Sequence, residues 1–322
     1  MRRREFISLL GSAASWPLVA RAQQGERVFR LGHLAPTKAS IDVTRSVTLP
    51  ELAKLGFSEG RNLVVLDRFG DEAAMPGLMQ ELLAARIDAV LAIGSEAMLA
   101  ASAATSAVPV VVFGADFLAR GQAANLARPG GNVTGVVILG PELEAKRLQL
   151  LYQAVPAARR VATIMHSSSL QRASIERQMR AFAAENGLTL LVFDAAGPPD
   201  YPAAFAAMRA ARADALVIGS HPILFRDART LAQLALGIGL PTICQWAEMA
   251  ASGCLIGYGP SRDQLRRQVA HQVARIFQGV VPADLPIETP THFELAINLK
   301  TARTLGLNIP LELLARADEV IE

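Results

Sequence analysis

ARIDAVLAIGS (85–95) and ARADALVIGS (211–220) carry one pattern twice, with one residue fewer in the second copy. Each reads as the end of a helix, an aspartate, an apolar run of strand length and a Gly-Ser turn, and each is followed downstream by a Pro-led apolar strand. Working outward from these copies, short β-branched runs alternate with Ala/Leu-rich stretches at helical spacing, the signature of parallel strands joined by crossover helices. The first half offers strands at 28–34, 62–68, 89–93, 108–113 and 133–138, with helices over 44–55 and 73–86. The second offers strands at 160–166, 189–193, 215–218, 241–244 and 254–258, with helices over 171–186 and 202–211. The expected fold class is α/β: two Rossmann-like lobes joined by a hinge of several crossings.

Open parallel sheets bind ligands at the carboxyl ends of their strands, so two lobes facing each other make a cleft. The turn Arg128-Pro129-Gly130-Gly131-Asn132 is the expected first crossing, Gly257-Tyr258-Gly259-Pro260 the second, and 282–290 a third. The expected division is a signal peptide over 1–22, a first lobe of 23–134 plus the returning segment 259–322, and a second lobe of 135–258.

The 322 residues are 51% hydrophobic and 19% charged, which excludes a mainly disordered chain and suits two domains of ~150 residues. Cys244 and Cys254 are too few for a disulfide scaffold and leave one optional bridge. A pI near 9.1 raises nucleic acid as a partner. Four of the 32 basic side chains (Arg2, Arg3, Arg4, Arg21) and one of the 29 acidic ones (Glu5) lie in residues 1–22, so the rest of the chain holds 28 of each. A neutral remainder without a basic run interleaved with aromatics has no footprint for polyphosphate, and nucleic acid drops out.

The basic start, the weakly apolar stretch 6–19 and Ala20-Arg21-Ala22 read as an export signal cleaved after Ala22. Arg3-Arg4-Glu5-Phe6-Ile7 resembles the twin-arginine motif, with the general secretory route as the alternative. No later stretch reaches 18 uninterrupted apolar residues, so the mature chain is expected in the periplasm without insertion into the membrane.

The segments LGFSEGRNLVV (55–65), RIDAVLAIGSEA (86–97), NLARPGGNVTGV (125–136), PELEAKRLQLL (141–151), ADALVIG (213–219) and LPIETPTHFELAINLKTARTLGLNIPLELLARADEVIE (285–322) span nearly the whole chain after residue 22. On them the sequence resembles the bacterial ABC-transporter substrate-binding proteins that include tryptophan and other aromatic amino-acid binders, with the type I periplasmic-binding fold. The resemblance implies a small-molecule solute, an ABC permease as partner, no catalysis and no cofactor. Where that family often has a Gly-Thr-Pro-like turn this chain has Gly94-Ser95-Glu96, and Asp116-Phe117-Leu118 replaces an Asp-Pro-Val-like stretch. His166-Ser167 and His221-Pro222 stand where Asn-Pro and Asp-Pro or Ser-Pro are common.

These positions supply the candidate ligand-binding residues: Ser95, Glu96, Asp116, His166, His221 and Trp246. Ser95 opens a helix, so it either offers donors to a ligand carboxylate or caps the helix. Glu96 and Asp116 either face a ligand amine or lie outside the cleft, Glu96 then complementing the helix dipole. Trp246 either stacks on a planar ligand or completes the core. His33, His166 and His221 all fall at strand ends, but no HxH or HExxH spacing fixes two on one element, and no metal site is expected.

Enzyme signatures are missing from the text: no G-x-G-x-x-G follows the first strand, and there is no Walker loop and no G-x-S-x-G elbow. The expected function is the solute-binding component of an ABC importer for an amino-acid-like solute. A ligand-sensing lobe pair for a membrane receptor is the alternative, and a secreted hydrolase with a dispersed triad the weaker one.

Overall fold

The computed structural model describes residues 27–114, 121, 123, 125–138, 140–167, 169 and 171–322. The first sheet contains β1 (Phe29–Ala35), β2 (Leu63–Phe69), β3 (Ala89–Ile93), β4 (Val110–Phe113) and β5 (Val133–Val136), all parallel, in the order β2-β1-β3-β4-β5. Helices α1 (Lys38–Lys54), α2 (Met75–Ala84) and α3 (Gly94–Ala104) connect its first four strands. Every residue of β3 and β4 is buried, as expected of central strands covered on both faces.

The chain then crosses to α4 (Gly140–Ala154) and builds a second sheet from β6 (Arg160–Met165), β7 (Thr189–Asp194), β8 (Ala215–Ile218), β9 (Thr242–Cys244) and β10 (Ile256–Pro260). The strand order β7-β6-β8-β9-β10 repeats that of the first lobe. Helices α5 (Arg172–Glu185), α6 (Tyr201–Ala210), α7 (Pro222–Arg226) and α8 (Ala228–Gly237) connect its strands, and α4 packs on β8, β9 and β10.

The textual repeat proves to be a helix-to-strand junction. Arg86 (φ 53°) and Arg212 (φ 51°) turn the chain out of the preceding helix in the left-handed region. The aspartate two residues later then fixes strand register. Asp88 accepts from the Arg30 amide and donates its own N–H to the Arg30 carbonyl, both at 2.8 Å. Asp214 accepts from the amides of Arg159 and Arg160 and donates to the Arg160 carbonyl, each at 2.8 Å.

The end of the chain departs from expectation. Helix α9 (Arg262–Phe277) returns to the first lobe, packing on α1 and against β3, β4 and β5, with the Phe277 ring stacked 4.6 Å from that of Phe29. The segment after it crosses again: β11 (Phe293–Asn298), α10 (Leu299–Thr304), α11 (Leu311–Leu314) and β12 (Glu319–Ile321) extend the second sheet to seven strands, in the order β12-β11-β10-β9-β8-β6-β7. β11 runs antiparallel to β10 and brings Leu295, Ala296 and Ile297 into the core. A first lobe holding all of 259–322 is therefore corrected; only the part around α9 and up to Glu288 belongs there. A third copy of the text, ARAD at 315–318, leads into β12, and Asp318 meets Leu295 as its counterparts meet their neighbours, accepting at 2.7 Å and donating at 2.8 Å.

The first crossing also moves. Residues 133–136 pair with β4, from Val110↔Val133 to Phe113↔Val136, so the chain leaves the lobe after Val136 and not at 128–132 or 134. Three strands of chain cross side by side, after Val136, at Ser261 and after Glu288. They are joined by Val137 N–H to Glu288 O (2.9 Å) and Ser261 N–H to His292 O (3.0 Å).

Candidate functional site

The carboxyl ends of both sheets face one cleft, which encloses roughly 900 Å³ of empty space with its open mouth included. After β3 the turn brings Ser95 and Glu96 to its wall, and β4 ends there with Phe113. From the second lobe come Ser220 and His221 after β8, Gln245 and Trp246 after β9, and Phe225 on α7. Arg262 and Arg266 reach it from α9, and Arg147 from α4.

Four of the six residues expected from the sequence thus line the cleft: Ser95, Glu96, His221 and Trp246. His166 lies behind them, its ring stacked on that of His221 with centroids 3.6 Å apart and planes 6° from parallel. Asp116 falls outside the described residues. The capping alternative for Ser95 is not used, since α3 begins at Gly94 with Ile93 at the cap position and no side-chain cap bond. Trp246 is both wall and core, 6% exposed while facing the cavity.

His221 spans the two lobes. Its Nδ1 accepts the Ile223 N–H at 3.2 Å and caps α7, which leaves the proton of the neutral ring on Nε2. Nε2 lies 3.7 Å from Glu96 Oε1 across the cleft. Burial alone pushes the Glu96 carboxyl up, but the His221 ring, its own backbone N–H and the His166 ring together hold it below the usual value. Burial, then the charge His221 carries when protonated, pulls His166 below the usual histidine value, against the Ala196 carbonyl 3.0 Å from its Nε2.

Buried His33 does not join the pair. Its Nδ1 meets Asp67 at 3.0 Å beneath Arg45, and burial lowers its pKa despite that carboxylate, with Arg266 and Arg45 also opposing the charge. Among the described residues no three His, Cys, Asp or Glu side chains could gather on a metal.

These shifts have a consequence for stability. A folded state that holds His33 and His166 below 6.5 refuses protons that the unfolded chain accepts, so their contribution is complete above 6.5 and lost as the pH falls through the folded values. Glu96 and Asp67, both lowered, act in the same direction only at lower pH, below about 4.5. The melting midpoint is expected to hold from pH 8 to 7 and to fall from 6.5 towards 5, with His33→Gln flattening that fall. A midpoint that rises on acidification rules this out.

The guanidiniums are what the sequence reading missed. Arg147, 1% exposed, donates to the carbonyls of Tyr258 (2.8 Å) and Gln245 (3.0 Å) and to Ser220 Oγ (2.9 Å), and pairs with Glu144 at 3.0 Å. It therefore ties together the ends of β8, β9 and β10. Arg262 lies between two rings of the other lobe, 4.2 Å from the Phe225 centroid and 5.3 Å from that of Trp246, and is paired with Glu248. Arg266 rests 4.8 Å from the Phe113 centroid and donates to Thr44 Oγ1 at 2.5 Å. One signal for it was present: Arg266 shares the helical stripe of Val269, Ala270 and Val273, all buried, where a charge is out of place.

Cys244 and Cys254, left open by the sequence, are bridged, with Cα atoms 6.4 Å apart. The bridge closes the loop carrying Gln245, Trp246 and Glu248, so it pins one wall of the cleft.

Among the described residues no helix is long and apolar enough to cross a membrane. A tyrosine-binding protein of Clostridioides difficile (strain R20291) is 20% identical over 272 residues, 83% of this chain and 78% of that protein. The crystal structure of an ABC domain in complex with L-Trp from Streptococcus pneumonia superposes with a TM-score of 0.81 at 22% identity, covering 90% of this chain and all of that one. A conserved domain protein from Vibrio cholerae reaches 0.85 at 22% identity, covering 91% of this chain and all of that one. The two-lobed arrangement is that of type I periplasmic-binding proteins. Residues 38–321 match the family model described as ABC transporter substrate binding protein. The chain belongs to the ABC transporter substrate-binding protein family, whose members bind small solutes and do not transform them.

Proposed function

We propose that this chain is the extracytoplasmic solute-binding component of an ABC importer and that it closes its lobes around an amino-acid-like solute. The observation that carries the reading is the cleft: a cavity between two hinged sheets, walled by Phe113, Phe225 and Trp246 and holding the Glu96 carboxylate. Aromatic walls take up a planar or apolar side chain, and the carboxylate answers an ammonium. Ser95, His221 and, behind it, His166 complete the ligand environment, with Asp116 as a further counter-charge. The tyrosine binder and the L-Trp complex among the relatives support an amino acid, and aromatic ones first.

The permease is the partner this role requires. Residues 1–22 serve as the export signal, in the twin-arginine form that Arg3-Arg4-Glu5-Phe6-Ile7 resembles, and deliver the chain to the periplasm.

Protein purified from the periplasmic fraction provides the test. Its intact mass is expected to begin at Gln23. In a thermal-shift panel of amino acids, dicarboxylates, amides and divalent metals, aromatic amino acids are expected to raise the midpoint. Small-angle scattering should then show a smaller radius of gyration at saturation, as hinge closure requires. Stabilisation by dicarboxylates or metals alone rejects the amino-acid reading, an unchanged radius with bound ligand rejects closure, and a mass that retains Arg2 to Arg4 rejects the export step.

A further inference from the structure

We propose that Arg266 is the seat of the solute's carboxylate, leaving Glu96 for its ammonium. The inference rests on the reading of the cleft as a solute site and assigns the polarity with which the solute lies in it. Of the three guanidiniums that line the cavity, two are neutralised within the protein, Arg147 by Glu144 and Arg262 by Glu248. Arg266 is not. Among the described residues no carboxylate lies within ion-pair distance of it, its Nε has no hydrogen-bond partner, and its guanidinium meets only the neutral Thr44 hydroxyl and the Phe113 ring.

It is also 3% exposed. Burial, reinforced by the positive charge of Arg262, pulls its pKa down to about 9, which leaves it charged at neutral pH. A buried, uncompensated guanidinium is costly, and a planar fork with a free edge is the group best shaped for a carboxylate. The expense is explained if the solute brings the counter-ion.

The remaining charges agree. With Arg147 and Arg262 cancelled, the cavity presents one free cation, Arg266, and one anion, Glu96, among its described lining residues. Glu96 meets its own backbone N–H and, at 3.7 Å, the Nε2 of His221. One positive and one negative pole set in an aromatic-walled cavity complement a zwitterion with an apolar side chain.

The test compares wild type, Arg266→Met and Arg266→Lys. Calorimetry is run with L-tyrosine, L-tryptophan and L-leucine, with the carboxamides of the same amino acids, and with 3-phenylpropionate, which lacks the amine. Melting midpoints are taken without ligand. Wild type is expected to prefer each acid over its amide. Arg266→Met should lose on the order of 10- to 100-fold in affinity for the acids, the scale of a charge-assisted hydrogen bond, and much less for the amides. Without ligand its midpoint should hold or rise, because an unpaired buried charge has gone; a merely structural arginine would lower it. Arg266→Lys, which keeps the charge without the fork, should fall between.

A wild type that binds acids and amides equally overturns the assignment and leaves the amino-acid reading standing. So does an Arg266→Met variant that loses acids and amides to the same degree, or one whose unliganded midpoint drops while its preference for acids persists. Binding of 3-phenylpropionate but of no amino acid, lost in Arg266→Met, rejects the amino-acid reading and keeps Arg266 as the carboxylate seat. Binding of none of the carboxylates overturns both.

Discussion

Arg147→Ala is expected to destabilise the protein by about 3–5 kcal/mol, the cost of breaking a buried ion pair from one side. The side chains of both Arg147 and Glu144 are 1% exposed, so removing the guanidinium strands the carboxylate in a dry interior. Three acceptors lose their donor as well, the carbonyls of Gln245 and Tyr258 and the Ser220 hydroxyl. Among the described residues Glu144 keeps only the Ser220 N–H at 2.7 Å. Since these contacts hold the ends of β8, β9 and β10 together, the loops bearing His221 and Trp246 should lose their alignment, and solute affinity should fall along with stability. Denaturant unfolding of the variant measures the first effect and calorimetry the second. The double variant Glu144→Leu/Arg147→Met should recover most of the stability, because a matched apolar pair often replaces a buried ion pair without loss, yet it should not recover full affinity. A cost below about 1 kcal/mol for Arg147→Ala would show that the network is not maintained in solution.

Gly135→Ala should be the more damaging change, by more than about 4 kcal/mol, at a level where soluble protein is no longer recovered. Gly135 has φ +147°, and a Cβ there would lie 2.0 Å from the Val112 carbonyl oxygen and 2.6 Å from the Val112 nitrogen. The obstacle is the backbone of β4, paired with β5 at Val112↔Gly135, so relief requires breaking the ladder. The Gly135 carbonyl also receives the Glu288 N–H at 2.9 Å and Gln272 Nε2 at 3.1 Å, which anchors the first and third crossings of the hinge. Gly60→Ala is the matched control: φ is +84° with open space around it, so only left-handed backbone strain of about 1–2 kcal/mol is expected. Expression and melting of the two variants side by side decide the matter; similar losses would show that β4 yields to the added methyl group.

Local pattern made much of this protein legible. Ala89–Ile93 and Ala215–Ile218 are predicted to the residue because a run of small and branched apolar side chains between an Asp and a Gly is too short for a helix and has the length of a strand buried on both faces. The same logic puts candidate residues at the strand ends, which is why Ser95, Glu96, His221 and Trp246 line the cleft. The ARAD copy at 315–318 carries the same information and marks β12 as plainly as its counterparts mark β3 and β8.

What the residues dictate by themselves, then, is a twofold α/β chain with a cleft at its strand ends, because side-chain periodicity and helix stops are set by neighbours in sequence. Only the tertiary structure decided which sheet receives β11, that Arg147 and Glu144 cancel each other beneath three strand ends, and that Arg262 is paired while Arg266 is not. Strand partners are chosen by hydrogen bonding between segments far apart in the chain. A charge on a helix reads the same in sequence whether it meets water, a carboxylate or an aromatic cavity. Its chemistry is fixed by the dielectric and the partners that folding brings to it, and those contacts reach from α9 to α1, β4, α7 and the loop after β9.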